Sequence, residues 1–511
     1  MLQSLATIEE INTLDCSPAK SSMSLSSKIF LAAVVIGFLL RLIAVIWGDI
    51  DPGGDGVGRM VASVGWAEHP SWQGLTGIWP FLHFYFLGSL IRIWDQPIVL
   101  AKLVNLAFGM GAIFALRSAV RPIFGEMVAS LSALLLAIYW THIWLTSSYW
   151  VEIPYLLLIF LAARHAFKTR ETADWKSALL SGVFLSLAIL LRHEAMLLLG
   201  VFLIWYGLNV KNRKAVLLFA AVPALAAAWN FIEPWLKGHS YFEYAAAVAQ
   251  MKAGESLAQG ITIRDSVIQW VMMPAAVPSL LVVIAGLWGL WKARRIVSRD
   301  LFAWMFIAQV GLALFMTFAF GWRPQLRYLL LYFVNLLPYT ALVWEQLMRR
   351  FPARKVLVAL VASTMLLQSA AWWSGRNGMR SMGWLPLRVI TSSQKALDDW
   401  IEANDQTQAR IVTIVGAGSF TEPWSIEHSY LVNHIAPRSV HSQEINVGYE
   451  KEILNGDLPP SVYAADMVLL DPQAAFYPKV LAALRAKEPG TTVEQIHPNI
   501  AVLASRQRRQ N

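Results

Sequence analysis

Apolar stretches with almost no charge follow one another along most of this chain, separated by short loops in which Lys and Arg collect. Stretches of this kind, near the roughly 20 residues a helix needs to cross hydrocarbon, predict about eleven membrane-spanning helices. They fall at 29–47, 98–116, 127–145, 149–166, 177–191, 195–209, 215–233, 269–290, 301–320, 328–347 and 356–373. One further apolar segment, Pro80–Trp94, is short, opens on proline and contains Arg92. It reads as an amphipathic or re-entrant helix that lies at the interface without crossing. From about Leu387 the pattern changes. "TSSQKALDDWIEANDQ" reads as a capped amphipathic helix. "RIVTIVG" (410–416), "DMVLL" (466–470) and "IAVLAS" (500–505) read as strands, and "PKVLAALRAK" (478–487) as a helix. The expected architecture is an α-helical polytopic membrane protein with a small C-terminal α/β domain. It divides into a tail (1–28), a membrane domain (29–386) with a first outer loop (48–97), and the α/β domain (387–511).

Composition supports this division. The chain of 511 residues is 56% hydrophobic with a mean hydropathy of +0.49, too apolar for a soluble protein of that length. The net charge of +9 follows the loops, so it marks topology rather than a nucleic-acid partner. The single cysteine, Cys16, permits no disulfide within the chain. The polar first residues lack the basic opening of a cleaved signal peptide, so Ile29–Trp47 reads as a signal anchor.

The basic residues also set orientation. With 80–94 not crossing, seventeen Lys and Arg fall in five short loops on one side, at 117–121, 164–176, 211–214, 292–299 and 349–355. The opposite loops hold eight over far more chain. The rich side is cytoplasmic by the positive-inside rule. The loop 48–79, "SSYWVEIP" (147–154), "LLRHEA" (190–195), the loop 234–268, "GWRPQLRY" (321–328) and the C-terminal domain then face outward. The cytoplasmic loops carry no nucleotide motif, so an activated donor used outside must arrive through the membrane, linked to lipid.

The candidate chemistry gathers on that outer side. The Pro and Gly residues of "GDIDPGGDGVGRM" (48–60) would let the backbone turn tightly around Asp51 and Asp55, and a carboxylate there can take a proton from a hydroxyl. Glu152 lies at the start of a span, where an unpaired acid is costly. Arg192, His193 and Glu194 form a charged turn suited to a head group. Arg323 and Arg327, with Tyr328 beside them, suit a lipid phosphate. Arg41, two turns from the end of the first run, reads as snorkelling or as paired with an acid. Trp66, Trp72, Trp79, Tyr85 and Trp94 read as an interfacial belt that could also stack on a sugar. "GAGSF" (416–420) reads as a strand-to-loop turn, and His428, His434 and His441 as scattered histidines rather than a metal set.

Taken in order, these features resemble the GT-C class of membrane glycosyltransferases, nearest to the protein O-mannosyltransferase and lipid A aminoarabinose transferase family. The resemblance rests on the acidic loop after span one, "WPFLHFYFLGSLIRIW" (79–94), "RPIFG" (121–125), Glu152, "RHEA", "RYLL" (327–330) and the closing α/β domain. Where that family carries adjacent acids, this chain has Asp55 followed by Gly56, and His193 stands where an aromatic is common. The resemblance implies transfer of a sugar from a polyprenyl-phosphate donor to an acceptor hydroxyl, with inversion. Asp55 takes the place of the base, with Asp51 as its alternate. Arg323, Arg327 and Arg192 offset phosphate charge, and Glu152 and Glu194 orient hydroxyls or hold the arginines. No soluble cofactor is implied, and some relatives place a divalent cation near the acids. The expected location is a bacterial inner membrane, with catalysis on its outer face. The rival readings are a transporter or flippase of a lipid-linked substrate, a polymerase or ligase using a diphosphate-linked donor, and a non-catalytic envelope scaffold.

Overall fold

The computed structural model describes residues 23–47, 59, 62–67, 70, 80–147, 150–236, 238, 240–242, 263–274, 279–320 and 326–373. In the C-terminal part it describes 396, 399–400, 403, 411–414, 444–445, 458, 467–470, 472, 477–487, 489–497 and 500–505. Each apolar run falls largely on helix. The helices are α1 (Leu25–Trp47), α2 (Leu82–Ile93), α3 (Pro97–Ala137), α4 (Trp140–Thr146), α5 (Glu152–Thr172), α6 (Trp175–Ile189), α7 (Ala195–Asn209) and α8 (Arg213–Leu236). They continue as α9 (Ile263–Pro274), α10 (Leu280–Lys292), α11 (Leu301–Phe320), α12 (Leu326–Phe333), α13 (Leu337–Arg350) and α14 (Ala353–Trp373).

Five helical stretches among the described residues are long and apolar enough to cross a membrane, at Leu25–Ile46, Val99–Ala137, Arg213–Leu236, Leu301–Ala319 and Arg327–Arg350. That is fewer than the eleven expected, because two expected spans share α3 and other apolar runs are interrupted or form shorter helices. The run 269–290 is divided between α9 and α10, and α6 and α7 have 15 residues each.

α3 shows how two expected spans become one element. Its 41 residues would reach about 60 Å if straight, about twice a hydrocarbon core. Gly125 breaks it at φ 83°, ψ 176°, a left-handed value that glycine tolerates. Both limbs then return to the same partner. A methyl group added at Gly37 of α1 would touch Ile113 on the first limb and Ala137 on the second. These residues stand at equal distances along the chain from Gly125, so α3 is a hairpin laid on α1. Arg117 and Arg121 both pair with Glu126 beside the bend, at 2.8 and 2.6 Å.

The second limb ends earlier than the apolar pattern predicts. Helix stops at Ala137, and Tyr139 is extended before α4 begins. A helix end leaves carbonyls without partners and a partial negative charge. Arg41 answers both. Its guanidinium donates to the carbonyls of Ala137 (3.0 Å), Leu136 (3.0 Å) and Gly37 (2.9 Å), and meets His142 Nδ1 at 2.6 Å. Arg41 is fully buried, so it does not snorkel, and its partners among the described residues are carbonyls and a histidine rather than an acid. It caps a broken helix inside the protein.

The basic loops are tied together at one end of the bundle. Arg170 donates to the Arg299 carbonyl at 3.0 Å and Asn209 to the Ser298 carbonyl at 2.9 Å. Asn212 donates to the Ala173 carbonyl at 3.0 Å, and Lys292 to Gln346 at 2.8 Å. Asp300 is buried there, accepting from the Tyr339 hydroxyl and from the Phe302 N–H.

The C-terminal part contains a five-stranded sheet in the order β2-β1-β3-β5-β4. β1 (Ile411–Ile414), β3 (Met467–Leu470), α15 (Tyr477–Lys487) and β5 (Ile500–Ser505) lie where the pattern predicts. β2 (Glu444–Ile445) and β4 (Thr491–His497) were not legible. Both are edge strands, and "TTVEQIH" is too polar to stand out from a loop. β1 is parallel to β2 and β3, while β5 runs antiparallel to β3 and β4. The "GAGSF" turn, the three histidines and most of the expected helix 391–406 lie outside the described residues.

Candidate functional site

Glu152, Arg192 and Glu194 meet in one ion cluster. Glu152 opens α5, where its charge faces the positive end of the helix dipole. Arg192 lies in the turn between α6 and α7, held by its N–H to the Ala188 carbonyl (2.9 Å) and by the Ala195 N–H to its own carbonyl (3.1 Å). One guanidinium nitrogen, Nη1, donates to Glu152 Oε1, and the other, Nη2, donates to Glu194 Oε1 at 2.7 Å. Glu152 and Arg192 are buried, while the Glu194 side chain is 36% exposed. Buried charges are tolerated only with partners, and here one cation serves two acids. Glu152 Oε2 is buried without a hydrogen-bond partner among the described residues.

The turn is electrostatically locked. Burial opposes the charge of Arg192, yet Glu152 and Glu194 hold its guanidinium well above the ordinary arginine value. Burial would likewise raise the Glu194 carboxyl, but the charge and hydrogen bond of Arg192 hold it down at about 2.

A second guanidinium is held by aromatic rings. Arg327 lies 4.6 Å over the Trp150 ring and 5.0 Å over the Tyr328 ring, and Arg192 lies 5.1 Å from the same Tyr328 ring. Ring faces attract cations through their quadrupole. Asn105 of α3 fixes the backbone beneath, donating to the Trp150 carbonyl at 3.0 Å. α2 joins the same end, since its Leu82 N–H donates to the Leu190 carbonyl at 3.2 Å.

No protein-family model matches the sequence, and no curated protein matches it. Solved structures do. ArnT from Cupriavidus metallidurans bound to undecaprenyl phosphate superposes with a TM-score of 0.56 at 13% identity, over 94% of this chain and 98% of that one. Its apo state gives 0.55. The oligosaccharyltransferase of Archaeoglobus fulgidus, tethered to an acceptor peptide containing the NVT sequon, gives 0.53 at 12% identity, over 94% of this chain and 74% of that one. The chain has the GT-C fold. It is an integral membrane protein of that architecture.

Within the GT-C frame, five of the nine expected site residues converge: Glu152, Arg192, Glu194, Arg327 and Tyr328. His193 adjoins Glu194 in the same turn, with its ring 5.4 Å from that of Tyr241. Asp51, Asp55 and Arg323 lie outside the described residues. Of the roles expected for Glu152 and Glu194, the geometry shows the second, holding an arginine. The described acids do not fit a divalent cation, because both face a guanidinium whose charge would repel one. Trp150 and Asn105 were not foreseen. Trp150 had a signal in its place two residues before Glu152; Asn105 had none, being one polar residue in an apolar helix.

Proposed function

We propose that this chain is a glycosyltransferase that moves a sugar from a polyprenyl-phosphate donor to an acceptor hydroxyl on the outer face of the membrane. The observation that carries the reading is the convergence of Glu152, Arg192, Glu194, Arg327 and Tyr328, from three separated parts of the sequence, at one end of a GT-C fold. The opposite end gathers the basic loops and faces the cytoplasm by the positive-inside rule. About eleven crossings then leave the C-terminal sheet outside, in a bacterial inner membrane. That ArnT was solved with undecaprenyl phosphate supports a lipid-linked donor for this chain too.

In this reading the Asp55 carboxylate takes the proton of the acceptor hydroxyl, and Asp51 is its alternate. The acceptor oxygen bonds to the anomeric carbon from the face opposite the phosphate. The bond from that carbon to the phosphate oxygen breaks, its electron pair leaves with polyprenyl phosphate, and the configuration inverts. Arg327 and Arg323 offset the charge that grows on the leaving phosphate. Arg192, already shared by two carboxylates, holds the turn in place. The sugar and the lipid length are not assigned.

The test is donor cleavage. Purified protein is incubated with a panel of polyprenyl-monophosphate sugars and a membrane extract as acceptor source. Wild type releases free polyprenyl phosphate, and Asp55→Asn lowers the rate by about a hundredfold or more. Loss in Asp51→Asn alone would move the base. Release only from diphosphate-linked donors would replace the reading with a polymerase or ligase, and liposome flipping without release would replace it with a transporter.

A further inference from the structure

The end of the bundle that gathers the basic loops carries a group of side chains with no part in the chemistry above. α10 is pressed onto α13 along a face of small residues. A methyl group at Gly289 would collide with the Tyr339 carbonyl, and one at Gly286 would stand 3.0 Å from Thr340 Oγ1. The Thr340 hydroxyl donates to the Val282 carbonyl at 2.9 Å and fixes the contact. Helical spacing then turns Ile284, Leu287, Trp288 and Trp291 to the opposite face, where all four are exposed. The two indoles stack, with centres 5.0 Å apart and planes inclined by 25°. A cation stands on each ring. Lys292 Nζ lies 5.4 Å from the centre of the Trp288 ring, and the Arg294 guanidinium lies 4.5 Å over that of Trp291. Their hydrogen-bond partners are neutral, Gln346 for Lys292 and the Trp291 carbonyl for Arg294. Carboxylates on the adjoining segments are already engaged, Glu345 with Arg349 and Asp300 with Tyr339 and Phe302. Lys292 and Arg294 therefore pair with no acid among the described residues.

We infer that Trp288, Trp291, Lys292 and Arg294 form a binding site for one anionic phospholipid, its phosphate at the two cations and an acyl chain along the outward face of α10. Charge and shape name this occupant together. Two cations without an acid call for an anion, and a phosphate accepts charge-assisted hydrogen bonds from both. The exposed apolar face beneath them belongs to an integral membrane protein, so acyl chains cover it. A soluble phosphate would leave that face unused. The dimensions agree as well. From Ile284 to Lys292 the helix rises about 12 Å, close to the ~15 Å depth of one leaflet of hydrocarbon. Indoles at the boundary between the two regions suit the level of the head groups. The end of a helix is itself negative and would repel a phosphate. Arg294 offsets this by donating to the Trp291 carbonyl at 3.2 Å, and its remaining N–H groups stay available. By the positive-inside rule the lipid belongs to the inner leaflet.

The test uses the full chain in detergent, with native mass spectrometry counting bound lipids as phosphatidylglycerol or phosphatidylcholine is added. The first phosphatidylglycerol should bind about fivefold more tightly than the first phosphatidylcholine, or better. Lys292→Gln and Arg294→Gln should each weaken it about fivefold. Trp291→Leu should weaken it about threefold, while Trp291→Phe keeps most of the binding. Lys211 and Arg213 are exposed at the start of α8. Replacing both by Gln removes as much charge as replacing Lys292 and Arg294, and should leave the first binding step unchanged. Glycerol phosphate in large excess, a head group without chains, should not compete. Circular dichroism confirms that each variant folds. Equal binding of the two lipids, or a loss in the α8 variant as large as in the Lys292 and Arg294 variant, overturns the site. Displacement by glycerol phosphate also overturns it and marks a site for soluble phosphate instead. No sugar donor is present, so the outcome stands apart from the transferase reading.

Discussion

Arg41 and Arg192 are both buried, and they are neutralised by different means. Arg41 meets three backbone carbonyls and one histidine nitrogen. Arg192 meets two carboxylates. Partial charges on carbonyls leave the Arg41 site with a net positive charge, which suits the negative end of a helix. Two full charges leave the Arg192 site with a net negative charge, and Arg327 stands close by, over the Tyr328 ring that Arg192 shares. Both sites keep a buried polar atom with no hydrogen-bond partner among the described residues, Arg41 Nε at one and Glu152 Oε2 at the other. What separates them is the sign of the charge left over.

The largest test of this contrast removes one member of each pairing. Glu152→Ala leaves a buried guanidinium half-paired, which costs about 3–5 kcal/mol. Thermal unfolding in nanodiscs should show a large drop, partly recovered when Arg192→Met removes the stranded charge as well. An unchanged midpoint in Glu152→Ala would mean that Glu194 alone satisfies Arg192. Arg41→Met strands two helix-end carbonyls instead of a charge, and should cost less, about 1–3 kcal/mol. Arg41→Lys, with a single ammonium in place of a fork, should fall between wild type and Arg41→Met. If Arg41→Met proves costlier than Glu152→Ala, the carbonyls are not the weaker partners and the comparison fails.

The two arginines also mark how far the sequence could be read. Arg192 was legible because "RHEA" interrupts apolar residues with three ionisable ones, and its acid partners were themselves conspicuous. Arg41 was misread because its partners are backbone carbonyls, which no residue type announces. The same limit applies to the fold. The apolar runs placed the helices, but they gave no sign that Ala137 ends one or that Gly125 folds α3 into a hairpin within "RPIFG". Both depend on tertiary contacts with α1. In the sheet, the apolar strands β1, β3 and β5 stood out, whereas the edge strands β2 and β4 did not, since one is two residues long and the other mostly polar. The aromatic row beside α2 was half visible. Trp66 and Tyr85 fell inside the expected belt, but Phe81 and Trp229 join them only through folding.

The smallest expected effect separates paired from unpaired burial by pH. Glu194 is held at about 2, against 4.5 for a free side chain. Its contribution to stability is therefore complete above 4.5 and is lost as pH falls through about 2. Asp300 at the basic end has hydrogen bonds from Tyr339 and Phe302, and burial pushes its carboxyl up to about 6 from 3.8. Its contribution is complete below 3.8 and is lost as pH rises through about 6. The two acids thus give slopes of opposite sign in adjacent windows. Glu194→Gln should flatten the acid limb of a stability–pH curve, and Asp300→Asn should flatten the limb between about 4 and 6. A partly exposed acid such as Glu194 should move the curve by no more than about 1 kcal/mol. If Glu194→Gln leaves the acid limb intact while Asp300→Asn removes its own, Arg192 does not hold Glu194 ionised. Its advantage over the Arg41 site would then lie in hydrogen bonding alone.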